Sequence, residues 1–455
     1  MAGLKSFQRG VHPPHRKHFS EAQPIELFVP QKDLLVPFVQ HIGAPCKLTI
    51  KPRDEVKFGD VIADVDHPVA APIHATLSGK TAMETVTLIP GGRRVAAIPL
   101  KPATEGEVLP AGFLQQFLDR NWGGVEPTKY DPDEICTKIR AAGIVGLGGA
   151  TFPTHIKLKR NPDRPVDTLI LNGCECEPYL TSDHRMMIEC PEAIVVGLQL
   201  AARAAGVQRS IIAIEANKPD AIEVMEKLVR DRPGIEVCVC ATKYPMGGER
   251  QLIPAVLGRE VPSAPKGLPL DVGVVVVNVA TAHSIARAVV RDQPLTHRVV
   301  SVTGGGVNKP GNYLTPIGTM IAELIEHAGG LSDQALKVLA GGPMMGPTLP
   351  NLNVPIIKGT GGLTVMTAAE TARWEETPCI RCGRCIDNCP LYLSPTKIAH
   401  AVKHRDYETA NEFDMNACCE CGCCAYVCPA NIPLTQYIRA GKAQWRVIAA
   451  AKKAS

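Results

Sequence analysis

The sequence predicts a multi-domain α/β chain of four modules. These are a β domain over residues 1–105, an α/β domain over 125–292, a small α+β module over 293–365 and a cysteine-dense helical module over 368–440. Three observations predict this. Residues 24–100 are rich in β-branched side chains and in Gly and Pro turns, as paired strands are. Residues 131–290 alternate helical patterns with short apolar runs, the signature of a parallel sheet with helices on its faces. Ten of the 17 cysteines fall between Cys379 and Cys428. At about 150 residues per domain the length alone suggests three domains, one fewer than the modules visible.

In the first module, Cys46 to Val65 alternates like paired strands. Ala71-Pro-Ile-His-Ala-Thr-Leu-Ser-Gly-Lys80 then resembles the second half of a lipoyl-type (barrel-sandwich) domain. The connection between the halves, Asp66-His-Pro-Val69, holds no Lys, so the resemblance supports the fold and not swinging-arm chemistry.

In the second module, Asp131-Pro132-Asp-Glu134 is a helix start, with Asp as cap and Pro in the first turn. Gly143 suits a left-handed stop. Val166–Leu171, Ser210–Ile214, Ile235–Val239 and Val272–Asn278 read as short strands, with helices over about 218–230 and 280–290. In the third module Val299 to Gly306 reads as a strand and turn. Ile317 to His327 reads as an amphipathic helix closed by Gly329 and Gly330.

Lys and Arg number 49 against 45 Asp and Glu, a net charge of +4, and aromatics are 4%. A dedicated nucleic-acid binder carries a strongly basic face, so no nucleic-acid partner is expected. The longest apolar run, Val272 to Ala280, is interrupted by Asn278 and falls short of the ~20 residues of a spanning helix. Lys5, Arg9, Arg16 and Lys17 come without an acid. No apolar core follows them, and His12, Pro13, Pro14 and His15 spoil an amphipathic targeting helix. The chain is expected to be soluble, or to sit on a membrane through partners. Clustered thiols in a long chain point to a reduced-compartment metalloprotein rather than a disulfide scaffold.

The cysteines carry the most specific signal. Cys379-Ile-Arg-Cys382-Gly-Arg-Cys385-Ile-Asp-Asn-Cys389-Pro390 is C-x2-C-x2-C-x3-C-P, and Cys418-Cys-Glu-Cys421-Gly-Cys-Cys424-Ala-Tyr-Val-Cys428-Pro429 repeats it. This run holds two [4Fe–4S] clusters, each motif's fourth Cys ligating the other cluster. The expected sets are Cys379, Cys382, Cys385 and Cys428, and Cys418, Cys421, Cys424 and Cys389. Structural zinc wants paired C-x2-C units, and the third Cys and the Cys-Pro in both copies argue against it. Cys419 and Cys423 stand outside the pattern and are expected behind the ligands. Arg381, Arg384, Lys403 and Arg405 could steer an acidic partner. Lys442, Arg446, Lys452 and Lys453 near the C-terminus could touch lipid headgroups.

Gly143-Ile-Val-Gly146-Leu-Gly148-Gly149-Ala-Thr-Phe152-Pro-Thr-His-Ile-Lys157 is the second signal. It follows a helix, whereas the Rossmann fingerprint follows a strand. Glycine still lets backbone amides approach a ring or phosphate, and Lys157 can meet its charge. The stretch resembles the flavin-binding loop of the NADH-oxidising 51-kDa subunit of respiratory complex I, departing at Thr151, His155 and Leu158. Asn172-Gly-Cys-Glu175-Cys-Glu177-Pro178, Tyr244-Pro-Met-Gly247-Gly248-Glu249 and Asn278-Val-Ala-Thr281 resemble three further segments of that family, in the same order. Cys174 stands where the family has Asp, and Gly248 where it has Glu. The resemblance implies that Gly146, Gly148, Gly149, Lys157, Asn172, Asn278 and Thr281 hold FMN. It places Phe152, Glu177 and Glu249 on the nicotinamide side, and Glu175 and Gly247 join the cofactor-binding set through the same segments.

One family joins these parts in this order, and the chain resembles it nearly throughout: the C subunit of the Rnf electron-transport complex, an ion-translocating ferredoxin:NAD+ oxidoreductase. Gly10-Val-His-Pro-Pro14, Gln40-His-Ile-Gly-Ala-Pro45 and Gly341-Gly-Pro-Met-Met-Gly346 carry the likeness along with the cysteine motifs. The resemblance implies a barrel-sandwich domain, a complex I 51-kDa-like α/β flavin domain, a β-grasp SLBB module and a two-[4Fe–4S] ferredoxin-like domain. It implies FMN and two clusters as cofactors, with NAD(H) as substrate. The implied partners are integral membrane subunits and a ferredoxin or ferredoxin-like subunit, with the chain peripheral on the cytoplasmic side of the bacterial inner membrane. Since hydride carries two electrons and clusters take one, flavin belongs between them. Two alternatives stand beside this reading. One is a soluble NADH-dependent reductase, as of cobalamin; the other is an electron-wiring protein with no nucleotide chemistry of its own.

Overall fold

The computed structural model describes residues 3–263, 267–371 and 375–454. The first module is a sandwich of two small antiparallel sheets. One runs in the order Leu34–Pro37, Arg94–Pro102, Gly79–Thr81, Glu55–Val56, with Thr85–Leu88 also paired to Arg94–Pro102. The other is Lys47–Leu48, Val61–Asp64, Ile73–His74. Alternate residues turn inward, so Val36, Ile62, Ile73, Ile98 and Leu100 form a sealed core.

The second module is a four-stranded, all-parallel sheet in the order Ile235–Cys240, Arg209–Glu215, Thr168–Gly173, Val274–Asn278. These are the four expected strands. The last begins two residues later than expected, because Pro269–Val272 forms a 3-10 turn ended by Gly273. The helix Pro132–Ala141 starts as the sequence predicts. The Asp131 carboxylate accepts the Asp133 and Glu134 amides, and Gly143 leaves the helix at φ 69°. The helices Ser182–Glu189, Pro191–Ala205 and Glu249–Leu257 fall outside the sequence-based expectation. Pro191–Ala205 packs on Val279–Arg291, and both are buried on nearly all sides.

The third module is a mixed five-stranded sheet ordered Ile25–Leu27, Gly311–Pro316, His297–Thr303, Gly362–Thr367, Ala335–Ala340. Its edge strand comes from the chain's N-terminal segment and pairs in parallel with Gly311–Pro316. The helix is shorter than the sequence pattern suggests, Ile321–His327. Upstream, the amides of Gly318 and Ile321 bond to Ile356 and Val354, so Ile317 to Met320 follow a neighbouring segment instead of a helical ladder.

One buried cation joins the first three modules. The Lys358 ammonium donates to the carbonyls of Pro72 in the barrel and Gly143 in the flavin-like domain, both at 2.7 Å. Its own amide donates to Gln40 Oε1. Burial pulls its pKa down to about 8. A bidentate Arg140–Asp64 pair reinforces the seam at 3.1 Å per arm.

The cysteine module is helical and repeats internally. Each motif has a left-handed Gly (Gly383, φ 78°; Gly422, φ 83°), a single helical turn (Arg384–Asp387; Cys423–Tyr426) and then a longer helix (Pro395–Lys403; Leu434–Ala454). Lys442 is not available to lipid: it is buried, and donates to the Cys418 carbonyl and to Glu420 Oε1 at 2.6 and 2.8 Å. Lys452 pairs with Glu408. The Lys453 side chain lies outside the described residues. Among the described residues no helix is long and apolar enough to cross a membrane.

Candidate functional site

The glycine-rich loop lies beyond the carboxyl ends of the parallel strands, where open α/β sheets bind ligands. It is pinned from four directions. The Gly146 amide donates to the Phe152 carbonyl at 2.8 Å, closing the loop. The Leu147 amide donates to Thr281 Oγ1 at 2.9 Å, and the Leu147 carbonyl accepts from Arg298 at 3.0 Å. The Ile42 amide of the barrel donates to the Thr151 carbonyl.

Asn278 ends its strand and caps the next helix, its Oδ1 accepting the Ala280 and Thr281 amides. Its Nδ2 donates to Asp183 Oδ2 at 2.6 Å. Asn172 is the register partner of Asn278 on the neighbouring strand. It donates to the Gly247 carbonyl at 2.8 Å. Lys157 stands 3.8 Å from Glu249. The fold thus brings Gly146, Gly148, Gly149, Phe152, Lys157, Asn172, Gly247, Glu249, Asn278 and Thr281 to one end of the sheet.

The donor set fits a flat, anionic cofactor. Gly149 has φ 111°, a conformation that favours glycine, and nothing within 4 Å of where a Cβ would stand, so the loop keeps an open side. Amides, two carboxamides and one lysine are the groups a phosphorylated ring needs.

Glu175 and Glu177 are held elsewhere. The Glu175 carboxylate accepts the amides of Asp183 and His184 and caps the helix Ser182–Glu189. Glu177 accepts the amides of Met344 and Met345, from the third module, at 3.2 and 2.8 Å. Burial pushes the Glu177 carboxyl up to about 7, against the pull of those two amides. Between about pH 4.5 and 7 the folded chain keeps a proton here that the unfolded chain has lost. This group therefore favours folding most in acid and less as pH rises through that window. Glu177→Gln is expected to flatten that part of the stability profile, measured by urea unfolding at a series of pH values. An unchanged slope would rule out the proton at Glu177.

Three site residues escaped the sequence reading. Lys17, from the basic N-terminal stretch, is buried and donates to the carbonyls of Glu175 and Glu177. Asp183, half-buried, and Arg298, buried, lie beside the loop. Burial raises the Asp183 carboxyl and Glu175 raises it further, while Arg298 opposes. For Arg298 the one available signal is a cation directly before the β-branched pair Val299 and Val300.

In the cysteine module, Cys389, Cys418, Cys421 and Cys424 line one cavity together with Cys419 and Cys423, with Ile398 and Thr435 among its walls. Cys385 and Cys428 pack together against Ala399 and Leu434. Cys379 and Cys382 are exposed. So each motif's last cysteine lies with the other motif's thiols, as cross-ligation requires. The two loops are also alike in detail: the Arg381 amide donates to Cys379 Sγ and the Glu420 amide to Cys418 Sγ, at 3.4 and 3.3 Å. Such amide-to-sulfur bonds tune cluster potentials. Burial pushes the Cys418 and Cys424 thiols up to about 12, so a bound cluster has to displace their protons. Among the described residues no group of three or more His, Cys, Asp or Glu is close enough to hold a single metal ion. Cys419 and Cys423 lie in the apolar contact between this loop and the flavin-like domain.

Comparison with known proteins agrees with this architecture. Residues 5–105 match the RnfC barrel sandwich hybrid domain, 139–287 the Nuo51 FMN-binding domain, 299–348 the SLBB domain and 378–433 a 4Fe-4S dicluster domain. The chain is 41% identical over 410 residues to the C subunit of the proton-translocating ferredoxin:NAD(+) oxidoreductase complex of Clostridium ljungdahlii, covering 90% of this chain and 87% of that one. It is 40% identical to the C subunit of the ion-translocating oxidoreductase complex of Rhodobacter capsulatus, covering 96% and 82%. It is 38% identical to the C subunit of the Na(+)-translocating ferredoxin:NAD(+) oxidoreductase complex of Acetobacterium woodii, covering 90% and 88%. Likeness at this level over all four modules makes the chain a member of the RnfC family, the C subunits of ion-translocating ferredoxin:NAD+ oxidoreductase complexes.

Proposed function

We propose that the chain is the NAD(H)-facing, peripheral subunit of a membrane-bound ion-translocating ferredoxin:NAD+ oxidoreductase complex. In this role it exchanges a hydride between NAD(H) and FMN and passes electrons singly to or from a ferredoxin or ferredoxin-like subunit. Family membership supports the role. The observation that carries it is how near the two sites come: the loop bearing Cys421 packs on Tyr244 and Cys176, and Cys176 Sγ accepts the amide of Gly247 at the end of the sheet.

Bound FMN supplies the conversion between a two-electron hydride and single electrons. The chain's residues bind, orient and shield. Amides of Gly146, Gly148 and Gly149 would face the cofactor, Lys157 would meet its phosphate charge, and Asn172, Asn278 and Thr281 would fix the strand ends around it. Phe152, Gly247 and Glu249 would border the nicotinamide, while Glu175 and Glu177 hold the backbone of Asp183 and of Met345 in place. Cys379, Cys382, Cys385 and Cys428 would hold one [4Fe–4S] cluster, and Cys418, Cys421, Cys424 and Cys389 the other. Integral membrane subunits would anchor the chain to the cytoplasmic face, where NADH is.

Purified chain should carry flavin and about eight irons, and NADH should bleach its visible absorption. Cluster-replete, flavin-loaded protein that NADH does not bleach would refute the hydride step. Thr281→Val removes the acceptor for the buried Leu147 amide, a loss of about 1–2 kcal/mol. FMN affinity, read by fluorescence quenching, should fall roughly fivefold to thirtyfold.

A further inference from the structure

The two cysteine motifs are alike in sequence and unlike in surroundings. The Cys418–Cys424 loop is packed against the flavin-like domain. Tyr244, 2% exposed, donates its hydroxyl to the Cys421 carbonyl at 2.8 Å. Val11, Tyr244, Cys421 and Cys423 form one buried cluster, with Cys176 and Met344 against it. A Cβ on Gly422 would stand 2.8 Å from the Met344 carbonyl, so the loop rests on the third module as well. Arg439 ties the far side to the Met345 carbonyl at 3.0 Å.

This contact is continuous with the glycine-loop site. Asn172 donates to the Gly247 carbonyl, and the Gly247 amide donates to Cys176 Sγ at 3.2 Å. Cys176 in turn packs beside Tyr244. Gly247, Cys176 and Tyr244 therefore connect the Asn172 carboxamide to the backbone of Cys421.

The Cys379–Cys385 loop lies open. Cys379, Arg381, Cys382 and Arg384 are exposed, and Ile380, between Cys379 and Arg381, is 67% exposed. The segment is tethered at its ends, by the Thr377 amide to Ala430 and by Arg9 to the Ile386 carbonyl.

Electron transfer falls steeply with distance and passes better through packed atoms than across a gap. We propose that the two motifs are ordered stations: the Cys418–Cys424 loop, with Cys389, is the flavin-side station, and the Cys379–Cys385 loop, with Cys428, is the outward-facing one. Tyr244 is the positioning residue that seats the inner station. The inference rests on the proposed function for its donor. NADH yields two electrons and one proton; the electrons cross the inner station and then the outer one singly, and two one-electron acceptors are reduced.

The test uses the full, flavin-loaded, cluster-reconstituted chain and EPR. Cys421→Ser and Cys382→Ser identify which signal belongs to which motif. After mixing with NADH, the Cys382→Ser chain should reduce its intact Cys418–Cys424 signal as fast as the parent. The Cys421→Ser chain should reduce its remaining signal roughly tenfold more slowly or worse, a barrier rise of about 1.4 kcal/mol. The reverse pattern, or equal rates, overturns the order. Tyr244→Phe keeps the ring and loses the bond to Cys421. In a dithionite titration without NADH, it should shift the midpoint potential of the Cys418–Cys424 signal alone. A shift confined to the other signal, or none, also overturns the order. Because that titration needs no hydride donor, it stays decisive even if the NADH step itself fails.

Discussion

Gly197→Ala is expected to unfold the flavin-binding domain or bring it close to unfolding. Gly197 lies inside the helix Pro191–Ala205 where it crosses Val279–Arg291. A Cβ there would stand 1.7 Å from the Ala282 carbonyl oxygen and 2.5 Å from its carbon. A side chain could rotate away, but helix backbone cannot. The two helices would have to separate, and both are buried along their length, so no solvent-facing shift relieves the clash. Overpacking commonly costs about 1–3 kcal/mol where neighbours can adjust; with backbone on the receiving side the loss should reach or exceed the top of that range. The second helix also starts at the flavin loop's anchors, Asn278 and Thr281. Flavin content should therefore fall along with the urea midpoint, even in chains that remain folded. A midpoint and flavin content equal to the parent's would show that the crossing is looser than these distances.

What the sequence made legible follows from the range of the interactions involved. The cluster motifs are local: spacing alone puts three thiols on one loop, so the internal repeat could be read directly. The parallel strands were legible because each is a short apolar run between breakers. The helix Pro191–Ala205 was not, because burial on all sides erases the polar stripe that marks an amphipathic helix. Glu249–Leu257 carries Pro254 in its interior, which reads as a breaker. The edge strand Ile25–Leu27 has only three residues and exists because Gly311–Pro316 offers it a free edge. The partners of Lys17, Glu177, Arg298 and Lys358 lie more than 140 residues away in the chain. Their roles are tertiary, and no local pattern announces them. Residue type still carried a hint, since a lysine or arginine within an apolar stretch has to find acceptors.

Arg298→Met should be the most damaging change at the site itself. The side chain is 4% exposed, and its guanidinium holds the Leu147 carbonyl at 3.0 Å. Burial pulls its pKa down to about 10, with the nearby Asp183 carboxylate opposing that fall. Methionine fills much of the same volume, so the loss is electrostatic: a carbonyl loses its donor and Asp183 loses its compensating charge. Leaving the buried Leu147 carbonyl without its donor costs about 1–3 kcal/mol, and Asp183, which makes no direct ion pair with Arg298 but feels its charge, becomes costlier to ionise. The stranded charge has a second consequence. In the Arg298→Met background, Asp183→Asn removes the stranded carboxyl and should recover part of the stability. In the parent chain the same change should cost stability, because Arg298 then loses the opposing charge nearby. The two effects of opposite sign give a coupling energy that simple loss of packing cannot produce. Asp183 also sets the pH signature. Its carboxyl is already raised by burial and by Glu175, and without Arg298 it should rise further. The folded variant would then hold that proton to higher pH, and its stability deficit should shrink as the solution is made acid. A deficit independent of pH, with no rescue by Asp183→Asn, would mean that Arg298 acts through shape alone.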